Sequence, residues 1–236
     1  MKNAGKKDLV KHIIEYAKEL RLPMIRKHIE EEIQEGQKNN LSYEQFLFGL
    51  LQKEYDARIE NGKLNRIRIA GFPFKKYLED LKVEELPKDA QAKLSILKTL
   101  DFIKNGQNII LAGSPGTGKT SISIGLGIKA CMQGYRVLFI TVPLLINQLK
   151  EARGASVLRS FELRFEKYDL VIADELGYIS FDKEGSELLF TNLSLRAGRR
   201  STIITTNLSF ERWDEIFLDP VITAAMIDGL THKSYM

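Results

Sequence analysis

The sequence predicts two parts: a small all-α domain over residues 1–80, and an α/β domain over residues 81–236 in which helices cover a parallel sheet. Three observations lead to this prediction. Apolar side chains recur at helical spacing through the first part, short β-branched strands alternate with helices through the second, and a glycine-rich loop follows the first strand. Because each strand is followed by a helix, we expect the strands to be parallel and the sheet to be buried on both faces.

Capping residues support the helices predicted in the first part. Pro23 suits the first turn of a helix, and Ser42 with Gln45 forms a capping box ahead of an apolar stripe. Asn61 and Gly62 then signal a stop or a kink. The predicted helices span residues 8–20, 23–36 and 42–60.

The second part is expected to begin after a linker at residues 81–87, with a helix over 90–104. The predicted strands are residues 108–112, 137–141, 170–174 and 202–206. A helix over 120–133 follows the first of them. Gly125 and Gly127 each weaken that helix by about 1 kcal/mol relative to alanine, so we expect close packing on the sheet at both positions.

Composition predicts a soluble cytoplasmic protein. Apolar residues make up 44% of the 236 residues, and no apolar run approaches the ~20 residues that span a bilayer. No apolar segment follows the basic N-terminus, so no secretory signal is visible. The single cysteine, Cys131, excludes an intrachain disulfide and is expected to be small and buried. His12, His28 and His232 are far apart in sequence and show no metal-site spacing.

A phosphate-binding loop is predicted between the first strand and its helix. Residues 113–120 match the pattern G-x-x-x-x-G-K-[ST]. The glycines let backbone N–H groups turn inward, and the helix N-terminus adds positive potential. Lys119 is expected to reach the β- and γ-phosphates of ATP, and Thr120 to ligate Mg²⁺. The candidate nucleotide-binding residues are Gly113, Ser114, Pro115, Gly116, Thr117, Gly118, Lys119, Thr120 and Ser121.

Polar residues stand at the ends of two later strands. Asp174 and Glu175 end an apolar run, which is the Walker B pattern of nucleoside-triphosphatases. Asp174 can hold Mg²⁺ opposite Thr120, and Glu175 can polarise the water that attacks the γ-phosphate. Asn207 can contact the γ-phosphate or position that water. The alternative for Asn207 is an ordinary turn asparagine.

A basic segment lies near the junction of the two parts. Between residues 58 and 76, six basic residues are accompanied by one acid, Glu60, and interleave with Phe72, Phe74 and Tyr77. Backbone phosphates attract such a segment and aromatic rings can stack on bases, whereas the alternative is a basic helix whose apolar side packs on the next domain. The net charge of +4 favours a polyanionic partner only weakly. The candidate DNA-binding residues are Arg58, Lys63, Arg66, Arg68, Lys75 and Lys76.

Taken together, these residues resemble those of AAA+ ATPases of the DnaC-like, helicase-loader branch, and most of all those of the IstB-like transposition helpers. The resemblance runs almost end to end. It includes the run from Asp174 to Gly185, which begins at the Walker B acids and which generic ATPases have no reason to share. The matching segments are residues 41–46, 72–73, 113–120, 150–152, 174–178, 181–185, 187–190, 199–207 and 230–232.

The resemblance implies a helical N-terminal domain and an AAA+ domain. IstB-like helpers assemble as oligomers on duplex DNA when ATP is bound, deform that DNA and recruit a partner transposase, and they hydrolyse ATP at a subunit interface. For this chain, the resemblance implies that Lys119 and Thr120 bind nucleotide and Mg²⁺. It likewise implies that Asp174 holds the metal, Glu175 acts as the catalytic base and Asn207 acts as the sensor.

One departure from the family pattern affects the expected activity. Family members carry an arginine after the aspartate equivalent to Asp228, where this chain has Gly229. That arginine completes the neighbouring subunit's site, and an arginine finger contributes about 10³–10⁵ in rate. We therefore expect weakened hydrolysis unless Arg199, Arg200 or Arg212 substitutes.

The end of the chain is the second departure, because relatives extend beyond the equivalent of Met236. The last sheet strand is expected in or after residues 231–236, and so to be cut short. A truncated copy and a divergent working protein both fit these two departures.

The predicted function is an ATP-dependent transposition helper that binds duplex DNA as a homo-oligomer, without membrane association. Two alternatives stay open: a DnaC-like helicase loader, and a nucleotide-dependent DNA-binding module with negligible hydrolysis. The segment 174–185 favours transposition, and Gly229 favours the module. The intact Lys119, Asp174 and Glu175 argue against wholesale decay.

Overall fold

The computed structural model describes residues 5–231 and 234–235. Residues 1–4, His232, Lys233 and Met236 lie outside the described residues. The chain forms two compact units, Met1–Gly62 and Lys63–Met236. This division comes earlier than the boundary near residue 80 expected from the sequence. Residues 63–80 belong to the second unit because they contribute to its core: Ile67, Ala70 and Leu78 are buried there.

The first unit is helical, as predicted. Its helices are α1 (Lys6–Glu19), α2 (Pro23–Lys38) and the first part of α3 (Tyr43–Ile69). The Ser42–Gln45 capping box is confirmed: the Ser42 N–H donates to Gln45 Oε1 at 3.0 Å, and the Gln45 N–H donates to Ser42 Oγ at 3.2 Å. The buried Glu54 carboxylate accepts the backbone N–H of Met24 at 2.8 Å, which satisfies a donor of the first turn of α2.

Of the stop or kink predicted at Asn61–Gly62, the stop does not occur, because α3 runs through both residues to Ile69. Packing beyond the glycine explains the continuation. Within the second unit, Ile67 is buried and Arg66 Nε donates to the carbonyl oxygen of Cys131 at 2.8 Å. These contacts outweigh the roughly 1 kcal/mol that an interior glycine costs a helix.

A parallel sheet lies at the centre of the second unit, as predicted. Its strands are β1 (Asn108–Ala112), β2 (Val137–Thr141), β3 (Leu170–Leu176), β4 (Ser201–Thr206) and β5 (Ser234–Tyr235). In the described part of the chain they are ordered β2-β3-β4-β1-β5, and every pairing is parallel. The position of β5 confirms the strand expected in or after residues 231–236.

Helices cover both faces of this sheet. They are α4 (Lys88–Leu97), α5 (Asp101–Lys104), α6 (Lys119–Met132), α7 (Val142–Gly154), α8 (Leu158–Phe165), α9 (Lys183–Ser194), α10 (Asp214–Phe217) and α11 (Pro220–Thr231). Neighbouring strand residues face opposite sides. Ile109 and Ile203 pack in one buried cluster with α6, whereas Ile110 and Ile204 pack in another with α7 and α9.

The single helix predicted over residues 90–104 is wrong, since α4 and α5 are separate. Leu100 interrupts them with a left-handed backbone, φ 63°. Its side chain is fully buried, and that burial offsets the cost of the unusual conformation. The expected linker at 81–87 contains a short 3₁₀ turn, Val83–Glu85.

The close packing on the sheet that was predicted for both glycines of α6 occurs at Gly127 only, because Gly125 packs on the turn Leu78–Asp80 instead. A Cβ at Gly125 would lie 2.7 Å from Leu78 Cδ2, and one at Gly127 would lie 2.7 Å from Ile172 Cδ1 on β3. Cys131 on the same helix is fully buried, as expected, and burial raises the pKa of its thiol to about 12.

Candidate nucleotide-binding site

The predicted phosphate loop connects β1 to α6 at the carboxyl edge of the sheet. Gly118 caps α6 with φ 83°, and a Cβ there would lie 3.2 Å from Leu86 Cδ2. The backbone conformation therefore favours glycine, and a side chain there would also require Leu86 to shift by a few tenths of an ångström. This turn places the N-terminus of α6 at the mouth of the loop, where its free N–H groups favour an anion.

Lys119 folds back over the loop. Its Nζ donates to the carbonyl oxygens of Gly113 at 2.7 Å and of Ser114 at 2.8 Å. Burial lowers the pKa of Lys119, and the negative charge of Asp174 partly opposes that shift. The ammonium group is thus held at the loop by acceptors that phosphate oxygens could replace.

Asp174 meets the first turn of α6 across the sheet edge. It is 4% exposed, and the Thr120 hydroxyl donates to its Oδ1 at 3.1 Å, with Oδ2 at 3.3 Å. The prediction that these two residues face one another is confirmed. A third group, the Thr205 hydroxyl on β4, also donates to Asp174 Oδ1.

Glu175 has an unusual backbone. Its φ is 65°, in the left-handed region, and the pairing of β3 with β4 is irregular between Ala173 and Leu176. The Glu175 N–H donates to Thr205 Oγ1 at 3.0 Å. The predicted strand end at residue 174 is therefore wrong by two residues, because a bulge continues the strand while re-aiming Glu175.

Asn207 directly follows β4 and lies beside the turn after β3. Its Oδ1 is buried and has no hydrogen-bond partner among the described residues. Gly177, with φ 102°, could not carry a Cβ without approaching Asn207 Oδ1 at 3.2 Å and Leu208 Cδ1 at 2.9 Å. The turn after β3 therefore packs closely on the Asn207 side chain.

A cavity of about 240 Å³ brings these groups together. Its lining residues are Pro115, Gly116, Gly118, Lys119, Thr120, Ser121, Glu175, Tyr178, Thr205, Thr206 and Asn207. A second, mostly apolar cavity of about 460 Å³ adjoins the other side of the loop, where Gly113, Ser114, Thr117 and Lys119 share it with Leu94 and Phe210. A polar cavity next to an apolar one is what a nucleotide's phosphates and base require.

Comparisons with known proteins agree with this arrangement. The family described as IstB-like ATP binding protein matches residues 15–236. The chain belongs to the IstB-like family. A protein described as an ATP-binding protein of insertion sequence IS5376, from Geobacillus stearothermophilus, is 33% identical over 94% of this chain and 88% of its own length. The IS21 counterpart from Pseudomonas aeruginosa is 34% identical over 91% of this chain and 81% of its own length.

Solved structures confirm the AAA+ fold of this IstB-like chain. The DnaC helicase loader is 19% identical, with a TM-score of 0.55 over 72% of this chain and 96% of that one. AMPPCP-bound DnaA from Aquifex aeolicus is 17% identical, with a TM-score of 0.55 over 66% of this chain and about half, 48%, of its own length. At identities this low, the likeness shows a shared fold and nothing about function.

The structure explains most of the segment 174–185 that carries the IstB-like resemblance. Phe181 is buried, and Asp182 caps α9 by accepting the Gly185 N–H at 3.0 Å. Lys150 of α7 pairs with Asp182 at 2.6 Å, and this contact lowers the pKa of the Asp182 carboxyl. Tyr178 differs: it is 60% exposed and lies on the rim of the polar cavity.

Sequence reasoning missed Thr205 and Tyr178 as site residues. Side chains two positions apart on a strand share one side, so Thr205 could have been found from Asn207. Tyr178 was present in the resemblance, but no residue pattern indicated that it lines the cavity.

The arginines considered as substitutes for the family's finger lie at different ends of the sheet. Arg199 and Arg200 precede β4, at the edge opposite the loop, and Arg200 pairs with Asp169. Arg212 follows β4 on the loop side and makes hydrogen bonds of 2.9 and 2.8 Å to Glu215. Gly229 lies on α11 with open space where a Cβ would be.

The predicted basic segment is divided between the two units. Arg58 lies in the first and donates to the carbonyl oxygen of Arg21 at 3.2 Å, whereas the other five candidates lie in the second. Arg66 is engaged with Cys131, as described above, and Phe72 packs against Phe139 with ring centroids 6.0 Å apart. Arg68 and Lys75 are exposed. Some residues of the segment, such as Arg66 and Phe72, are therefore used in packing, whereas others, such as Arg68 and Lys75, lie on the exposed surface.

Membrane association was not expected. Within residues 5–231 and 234–235, no helix combines the length and apolar character that crossing a membrane requires.

Proposed function

We propose that this chain is an ATP-dependent transposition helper that assembles as an oligomer on duplex DNA, hydrolyses ATP and recruits a partner transposase. The observation that carries the proposal is the convergence of Lys119, Thr120 and Glu175 on one polar cavity, with Asp174 buried behind them. Relatives described as insertion-sequence ATP-binding proteins support the biological setting.

The residues around the cavity fit ATP with Mg²⁺. Lys119, the loop N–H groups and the N-terminus of α6 would hold the phosphates. The oxygens of Thr120 and Asp174 would hold Mg²⁺, since hydroxyl and carboxylate oxygens are ligands that this ion prefers. Bound there, Mg²⁺ would neutralise charge on the phosphate oxygens.

Glu175 is the residue best placed to act on water. Its left-handed backbone aims the carboxylate into the cavity rather than along the strand. It accepts a proton from the attacking water as general base, which contributes typically 10²–10⁴ in rate. Asn207 lines the same cavity, and its amide would orient that water or the terminal phosphate.

DNA binding and domain roles are part of the same proposal. Residues 1–80 would bind DNA or the transposase, although residues 63–80 also pack into the second unit, and residues 81–236 would form the rest of the ATPase domain. Exposed Arg68 and Lys75 support contact with backbone phosphates, together with the other basic candidates. Such contacts predict strong salt dependence and little base specificity.

The test is ATP hydrolysis by the full chain with and without duplex DNA, together with DNA binding in the presence of ATP or ADP. Turnover that DNA stimulates, and binding that ATP promotes, are the expected results. Turnover absent under all conditions would contradict the enzymatic part of the proposal.

Two other functions have some support. The likeness to the DnaC loader favours helicase loading, but at 19% identity it concerns the fold alone, whereas the curated relatives are described by their insertion sequences. Gly229 favours a DNA-binding module with negligible hydrolysis. Adjacency to a transposase gene would separate the first alternative from the proposal, and the hydrolysis assay would separate the second.

A further inference from the structure

Thr205 is buried at the end of β4, between the two acids of β3. It is 2% exposed, its hydroxyl donates to Asp174 Oδ1, and its Oγ1 accepts the Glu175 N–H at 3.0 Å. We propose that Thr205 is a positioning residue of the ATPase site, which fixes the Asp174 carboxylate and the backbone of Glu175 together. This inference rests on the proposed ATPase function and adds a residue to it.

The direction of both hydrogen bonds is determined by chemistry. A carboxylate only accepts and a backbone N–H only donates, so the hydroxyl gives its single proton to Asp174 and offers a lone pair to Glu175. Apart from serine, no residue type of similar shape does both. Valine would fill the space but would leave a buried N–H without this acceptor.

The Glu175 contact explains how the bulge is held. In a regular strand, Asp174 and Glu175 would point to opposite faces of the sheet. Here the left-handed Glu175 backbone re-aims the side chain, and its N–H donates to a side chain on the neighbouring strand. Removing that acceptor favours relaxation towards regular pairing, which would turn Glu175 away from the cavity.

The Asp174 contact fixes the orientation of the carboxylate relative to the loop. Thr205 holds Oδ1 from β4, while Thr120 contacts both carboxylate oxygens from α6. Because Asp174 and Thr205 are both nearly fully buried, water does not readily replace the Thr205 hydroxyl as a donor. Supporting residues of this kind typically change metal affinity or activity 10- to 100-fold when removed.

The experiment compares the full chain with Thr205→Val and Thr205→Ser. Thr202→Val is the matched control, since Thr202 is a 1% exposed threonine on the same strand at the end far from the loop, and valine there likewise removes a buried hydroxyl, which accepts a long hydrogen bond of 3.4 Å from Arg196 Nε. Affinity for a fluorescent ATP analogue is measured without and with Mg²⁺. Hydrolysis is measured as separate kcat and KM values, and thermal unfolding is recorded for each variant.

Thr205→Val is expected to bind the analogue without Mg²⁺ as the parent does, because Lys119 and the loop are unchanged. The gain in affinity on adding Mg²⁺, and kcat, are expected to fall by about 10- to 100-fold. Thr205→Ser should restore both, and Thr202→Val should match the parent. Parental Mg²⁺ dependence and kcat in folded Thr205→Val would overturn the inference.

Failure of the proposed function would look different. A parent without hydrolysis contradicts the ATPase proposal, yet the Mg²⁺-dependent gain in binding still reports on Thr205. Should Thr205→Val not fold, Thr205→Ser decides: a folded serine variant that has lost the Mg²⁺-dependent gain overturns the inference, because serine keeps the hydroxyl. A serine variant with parental behaviour supports it.

Discussion

Thr120 and Asp174 are 54 residues apart in the chain, yet the Thr120 hydroxyl lies 3.1 Å from Asp174 Oδ1. The contact joins the first turn of α6 to the end of β3, so it links the phosphate loop to the acid pair. Thr205 extends the link to β4, and Asn207 follows two residues later. Hydrogen bonds thus join the first turn of α6 and the ends of β3 and β4 at the candidate site.

Removing the loop lysine should weaken nucleotide binding without unfolding the chain. In Lys119→Ala, the phosphates no longer have a charged donor, and ATP affinity is expected to fall by about 10- to 100-fold. Lys129→Ala, farther along the same helix, is the control and should bind as the parent does. Equal affinities for the two variants, measured by titration calorimetry, would contradict the role of Lys119.

An arginine at position 229 should fit and should increase hydrolysis. The site on α11 is open, and replacing a helical glycine stabilises a helix by up to about 1 kcal/mol. Gly229→Arg is therefore expected to raise both the unfolding temperature and the DNA-stimulated kcat. Gly229→Ala controls for the helix effect. If Gly229→Arg gives no more turnover than Gly229→Ala, the arginine finger is supplied by another residue or is not needed.

The ion pair between Lys150 and Asp182 should stabilise the segment after the acid pair at neutral pH. The Lys150 contact lowers the pKa of Asp182 from its ordinary value of 3.8, so its stabilising effect is present above that value. The effect is lost as the pH falls through the lowered pKa, where the Asp182 carboxyl of the folded state becomes protonated. Asp182→Asn should therefore melt below the parent at pH 7, and the gap should narrow at low pH. A gap that does not change with pH would contradict a contribution from the Asp182 charge.

The basic segment should contribute to DNA affinity through charge. Lys75→Glu with Lys76→Glu is expected to weaken duplex binding and to reduce the slope of log affinity against log salt by about 0.9 for each phosphate that is no longer neutralised. Lys167→Glu, an exposed lysine after α8, serves as the control. Identical salt slopes for the parent and the double variant would remove these lysines from the DNA surface.

The sequence predicted the elements whose stability is local. Strands β1 and β2 match their predicted bounds because apolar, β-branched runs can be little else between turn signals. The phosphate loop was predictable from its glycines and lysine, and the Ser42 capping box from two residues alone.

Elements decided by distant contacts were not predictable. Burial of Ile67 and Ala70 carries α3 past Gly62, and burial of Leu100 breaks the helix expected over 90–104. Neither burial can be read from neighbouring residues. At the bulge, the Glu175 N–H donates to a hydroxyl of β4 that is distant in sequence, so the extended β3 and the proposed role of Thr205 required the structure.

The role of Glu175 is tested most directly by comparing the parent with Glu175→Gln in one preparation, measuring ATP binding and steady-state hydrolysis. We predict unchanged affinity and a kcat lower by about 10²–10⁴, because the amide keeps the shape of the carboxylate but cannot accept the proton. Turnover in Glu175→Gln equal to that of the parent would contradict this role.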